Sequence, residues 1–167
     1  MESKARLFGH GLHPILIVFP LGLLGTAAIF DVISLVTGDG KWSDIAFYMI
    51  AAGLVGGVVA ALFGFIDWFA IPQGTRAKSV GLLHGVGNDI VLVLYAVSWW
   101  LRRGHTTDPG TLALALSFAG FALALATGWL GGELVERLGM AVHEGAHLDA
   151  PSSLSGRPAS EHASKKG

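Results

Sequence analysis

The chain has 167 residues, 52% of them hydrophobic and 14% charged, with a formal net charge of −1. Roughly a quarter of an ordinary soluble domain is charged, so this composition cannot furnish a polar shell, and the missing positive charge argues against nucleic acid as a partner. The absence of cysteine excludes disulfides, thiolate metal sites, iron–sulfur clusters and c-type haem attachment together.

A helix needs about 20 apolar residues to cross ~30 Å of hydrocarbon, and the sequence offers four such runs. The first extends from Leu12 to Val36, broken by Pro20 and Asp31. Lys4 and Arg6 precede it like the charged start of a signal peptide, but the run is longer than the ~7–15 residues of a signal-peptide core. It therefore reads as a span. The second extends from Ile45 to Ile71 and carries Asp67 near its end. The third, Val80 to Leu101, contains His84, Asn88 and Asp89, and the fourth, Thr111 to Gly131, contains no charge. Short connections at residues 37–44, 72–79 and 102–110 predict an all-α antiparallel bundle of four transmembrane helices occupying residues 1–142. Residues 143–167, rich in Ser, Ala, Pro and Lys from Asp149 onward, are expected to form a disordered cytoplasmic tail.

Five basic residues flank the spans on the terminal side (Lys4, Arg6, Arg76, Lys78, Arg137) and three on the other (Lys41, Arg102, Arg103). Positive charge is retained on the cytoplasmic side, so both termini are expected there, in a multi-pass protein of a plasma membrane. Trp42, Trp99 and Trp100 fall at the outer ends of spans and Trp68 and Trp129 at the inner ends, as an aromatic belt requires. Gly53, Gly57 and Ala61, then Gly56, Ala60 and Gly64, recur every fourth residue on span two. Gly120, Ala124, Gly128 and Gly132 do so on span four. Such stripes let backbones approach closely, and packing within one bundle accounts for them without dimerisation.

Ionisable groups inside a span are costly and mark candidate functional sites. His13 opens span one before Pro14, Asp67 ends span two, His84 and Asn88 lie one turn apart on span three, and Glu133 follows span four. The topology puts all five at the same depth on the terminal side. Three chemistries fit. A b-type haem would take His13 and His84 from diagonal helices, with Asn88 beside them and Gly81, Gly85 and Gly87 leaving room for a flat macrocycle. A divalent metal would use His13, Asp67, His84 and Glu133, all suitable nitrogen and oxygen ligands. A small ion transporter or channel would pass its solute through the same groups. Against these stands a structural role, with His13–Pro14 starting a helix, Asp67 paired to Arg76 or Lys78, and the chain acting as a partner subunit of a membrane complex. Asp31 lies within reach of Arg102 or Arg103 and reads as a structural salt bridge. Asp89 points about 100° away from Asn88, either into the inner cluster or toward another span.

His143-Glu144-Gly145-Ala146-His147 matches the zinc-protease pattern H-E-x-x-H, which requires a helix to bring both histidines to one face. Gly139 and Gly145 weaken that helix. Further ligand candidates, Glu161 and His162, lie in the low-complexity tail, so the match is read as coincidence. No nucleophile–base pair or phosphate loop stands out, and an enzyme acting on its own is not expected.

Four stretches taken together resemble the bacterial family known as domain of unknown function 2231. They are Leu12-His13-Pro14 through Phe19-Pro20 to Asp31, and Gly53 through Gly64 to Asp67-Trp68. Then come Gly81-Leu82-Leu83-His84 to Asn88, and Gly128-Trp129 through Glu133 to Val135. The resemblance covers roughly residues 10 to 142 in the family's order. It implies a four-helix domain of a bacterial inner membrane in which His13, Asp67, His84 and the Gly131-Gly132 turn are family features. It implies no activity.

Overall fold

The computed structural model describes residues 1–162. A short hairpin, β1 (Arg6–Leu7) and β2 (His10–Gly11), leads into α1 (Leu12–Leu16) and α2 (Val18–Thr37). These are followed by α3 (Lys41–Ala70), α4 (Arg76–Leu101) and α5 (Thr111–Gly132), which runs on into a π-helical turn at Glu133–Arg137. Four helical segments are long and apolar enough to span a membrane: Leu12–Thr37, Lys41–Ala70, Arg76–Leu101 and Thr111–Arg137. The chain is an all-α integral membrane bundle, as its apolar runs predict. The face carrying both termini is the near face below, and the opposite one the far face.

α1 and α2 form one span with an interruption at Ile17. Pro20 has no N–H to offer the carbonyl of Leu16, so the regular ladder fails one turn before it. Ile17 N–H still bonds to His13 O (3.1 Å) and Leu21 N–H to Ile17 O (3.1 Å), which keeps the two pieces in line.

Two helices begin earlier than the apolar runs do. α4 starts at Arg76 rather than Val80 because Thr75 caps it, its hydroxyl accepting the N–H of Lys78 at 3.2 Å. α3 starts at Lys41 rather than Ile45, and the Asp39 carboxylate accepts the N–H of Lys41 at 3.0 Å. Apolar length sets what lipid covers, whereas capping sets where a helix begins.

Each span packs on its neighbours in the chain and α5 closes the ring against α2, which leaves α2 and α4 on the diagonal. The far half is the solid part. Leu24, Ala27, Ala46, Ile50, Val91 and Tyr95 form its buried core. The glycine stripes act inside this bundle: Gly53 receives Leu24 and Gly120 receives the Tyr95 ring, so a Cβ at either would come within 2.7 and 3.0 Å of those side chains.

A polar network is buried in the same half. Arg102 donates through both terminal nitrogens to Asp31, at 2.7 and 2.6 Å, and both side chains are 0% exposed. Ser117 donates to Asp31 at 3.2 Å, Ser43 stands 3.4 Å from the same carboxylate, and Arg102 Nε donates to Ser98 at 3.2 Å. Four helices are thereby tied to one ion pair. The expected arginine partner for Asp31 is present, and serine hydroxyls, which a hydropathy pattern does not single out, complete its surroundings.

The segment after the π-helical turn consists of turns and one short helical turn, Ser153–Ser155, over residues 143–162. It turns back over the N-terminal segment: His143 Nε2–H donates to Gly9 O at 2.9 Å, Ala141 N–H to Met1 O at 2.9 Å, and Arg157 pairs with Glu161 at 2.6 Å. Residues 163–167, the rest of the expected tail, lie outside the described residues.

Candidate functional site

Below the solid half the two helical hairpins, α2–α3 and α4–α5, stand around a cavity of about 420 Å³, within the range of small-molecule and cofactor sites. All four spans line it, with residues including His13, Gly64, Asp67, His84, Asn88 and Asp89. A Cβ placed on Gly85, Gly128 or Gly132 would meet nothing within 4 Å, so the backbone there borders open space.

The two histidines are held in matching ways. His13 Nδ1 lies 2.8 Å from the carbonyl of Ala60 on α3, and His84 Nδ1 lies 2.9 Å from the carbonyl of Thr127 on α5. A carbonyl oxygen only accepts, so Nδ1 is the protonated nitrogen of each ring and Nε2 carries the lone pair. Each ring also rests on a glycine one turn beyond its carbonyl. A Cβ at Gly64 would come within 3.0 Å of His13, and one at Gly131 within 3.1 Å of His84. The ring centroids are 6.3 Å apart and the planes perpendicular.

Asn88 belongs to this arrangement as a support. Its amide nitrogen donates to His84 O at 2.8 Å and stands 3.3 Å from His84 Nε2, while Thr127 Oγ1 donates to its carbonyl oxygen at 3.0 Å. Thr127 therefore positions both the imidazole and the amide, a role that its place in an uncharged span did not suggest.

The other two expected site residues are engaged elsewhere. Asp67 borders the cavity, but its carboxylate accepts from Ser3 Oγ (2.7 Å), Lys4 N–H (2.7 Å) and Ala5 N–H (3.4 Å). It pins the N-terminal segment across the near face instead of pairing with Arg76 or Lys78. Arg76 bonds Glu133 at 2.6 Å, and Lys78 bonds Trp68 O at 2.8 Å with its ammonium 3.8 Å from the centre of the Trp68 ring. Among the described residues no group of three or more His, Cys, Asp or Glu is placed to hold a metal ion.

Asp67→Ala should free the N-terminal segment while leaving the spans intact. Charge-assisted hydrogen bonds contribute about 1.5–3 kcal/mol each, so trypsin cleavage after Lys4 and Arg6 should accelerate at least about tenfold. Unchanged cleavage would mean that Asp67 does not anchor the segment.

Residues 143–147 form turns and not a helix, so the two histidines of the H-E-x-x-H match do not share a helical face. His143 holds the N-terminal segment through Gly9 O, and His147 Nδ1 accepts the Asp149 N–H at 3.2 Å.

A sequence regularity accompanies these placements. Tyr95 Oη donates to Leu24 O across 71 residues, and Arg102 meets Asp31 across the same 71. His13 and His84 have that spacing too. The first and third spans, diagonal in the bundle, thus bring three pairs of positions 71 residues apart to face one another. Aligning the two halves of the sequence at this offset would have paired all three.

Residues 9–144 match the model of a family described as a predicted membrane protein, DUF2231. No curated protein and no solved structure matches the chain. The match runs from the N-terminal hairpin through all four spans and ends inside the 143–147 segment: the chain belongs to the DUF2231 family of predicted membrane proteins.

Proposed function

We propose that this protein is a membrane redox module that holds one b-type haem between His13 and His84, in a bacterial inner membrane with both termini cytoplasmic. The observation that carries this reading is the matched pair of imidazoles. Their ring centres stand 6.3 Å apart with the planes perpendicular, and both residues line the cavity.

The surroundings fit a haem. The Nδ1–H···O=C bonds fix both rings and raise the basicity of Nε2, as supporting partners of metal-bound histidines do. Bare glycine backbone at residues 85, 128 and 132 gives a planar group room that side chains would fill. A haem so bound would supply one-electron transfer. The chain's own contribution is to fix the two imidazoles against their carbonyls at the cavity and to keep Asn88 and Thr127 bonded beside His84. Asp67 ties the N-terminal segment across the near face. Because Asp67 and Glu133 already hold other partners, a haem suits the site better than a four-ligand divalent metal. The dense far half speaks against an open channel. The electron partner is a redox protein or membrane complex on the cytoplasmic side.

The test is iron and haem content after expression with ample haem. The native chain should carry close to one haem per protein, and His13→Ala or His84→Ala should each reduce it at least about tenfold. A native chain lacking both iron and haem would end the proposal.

A further inference from the structure

Asp89 is the carboxylate that the site above does not use. It lies midway along α4, roughly 20 Å from either end at 1.5 Å per residue, and it borders the cavity half-buried. Asp31 has Arg102, Asp67 has Ser3 and Lys4, and Glu133 has Arg76, while Asp44 and Glu136 lie in the end turns of their spans and not mid-helix. Among the described residues Asp89 makes neither an ion pair nor a hydrogen bond. Its neighbours on the same helical stripe are the exposed Leu82, Val86 and Val93, of which the first two border the cavity with it. An ionisable group left without a partner at this depth is costly and marks a candidate proton or ion path.

We propose that Asp89 is a proton-exchange site, reached from the near face through the cavity. The ionisable groups that border the same cavity are His13 on α1, Asp67 on α3, His84 on α4, and Glu2 and the Met1 ammonium in the N-terminal segment, the last donating to Gly139 O at 3.0 Å, while α5 contributes only glycines. None of them supplies a cation fixed to Asp89. Toward the far face the path is closed by Leu24, Ile50, Val91 and Tyr95 and then by the Asp31–Arg102 pair. The carboxyl therefore loads and unloads its proton from one side and does not pass it across the membrane. This inference stands on the unpartnered carboxylate and the cavity, and does not depend on haem.

A lipid-soluble carbodiimide tests it directly on the native chain in liposomes. The reagent adds to a protonated carboxyl: the acid proton moves to a carbodiimide nitrogen, the carboxylate oxygen bonds to the central carbon, and rearrangement gives a stable N-acylurea with nothing lost. Peptide mapping should find the adduct on Asp89, forming more slowly as pH is raised and at least tenfold less on Asp31. Asp89→Glu should keep the adduct and Asp89→Asn should lose it, in protein carrying haem or not. Absence of an adduct on Asp89, a rate indifferent to pH, or equal modification of Asp31 would overturn the proposal, and mapping the native chain decides it even if a variant misfolds. A colourless protein that still forms the adduct would end the haem reading and leave this one standing.

Discussion

Arg102→Met should lower the stability of the detergent-solubilised bundle by about 3–5 kcal/mol, the usual result of stranding one member of a buried ion pair. Arg102 satisfies both oxygens of Asp31 at 2.7 and 2.6 Å in a site with no exposed surface. Without it, Asp31 retains only hydroxyl neighbours, Ser117 at 3.2 Å and Ser43 at 3.4 Å. The double substitution Asp31→Leu/Arg102→Met removes the charge along with its partner and should recover most of the loss, because apolar replacements of buried pairs are often neutral or better. The temperature at which folded monomer disappears from a sizing column distinguishes these outcomes. If the double variant is as unstable as the single, the cost comes from lost packing and not from a stranded charge.

Enlarging the glycines behind the histidines should be nearly as disruptive, but to the site and not the bundle. A Cβ at Gly131 comes within 3.1 Å of His84 Cε1, and one at Gly64 within 3.0 Å of both Cε1 and Nδ1 of His13. A branched residue such as Val carries further atoms into the same space. The imidazole must then swing away, breaking its bond to Thr127 O or Ala60 O, and Nε2 loses its fixed direction. Gly131→Val and Gly64→Val should each reduce haem content at least about tenfold, as bulk in a tightly packed site cannot be absorbed without moving its neighbours. Gly22→Ala, where an added Cβ meets nothing within 4 Å, should leave it unchanged. Full haem retention in both valine variants would show that the ring positions do not matter to binding.

Much of this architecture is legible in the sequence, because lipid imposes a simple rule. A helix must stay apolar for the thickness of the hydrocarbon, so the runs at residues 12–36, 45–71, 80–101 and 111–131 locate the spans directly. The depth of His13 and His84 follows from the same topology. So does the meeting of Asp31 with an arginine, since an isolated charge near a span end needs a partner. What the hydropathy pattern does not carry is side-chain direction. Asp67 lies as close in sequence to Arg76 and Lys78 as it does to the cavity, yet backbone N–H groups of residues 4 and 5 claim it, because a loop crossing a membrane face must satisfy its own donors. Thr127 is silent in the sequence for a similar reason: its contribution to His84 is a backbone carbonyl, which every residue has. The 71-residue offset is present in the sequence as well, but hydropathy does not distinguish the pairs it relates, and only their contacts do.

The most direct measurement of the central claim is the optical spectrum of the purified native chain, first air-oxidised and then reduced with dithionite, beside His13→Ala and His84→Ala. The account predicts a Soret band that shifts on reduction, with sharp visible bands of a six-coordinate haem, and its loss in both variants while the bundle remains helical. A colourless native protein, or a band that survives removal of either histidine, would contradict it.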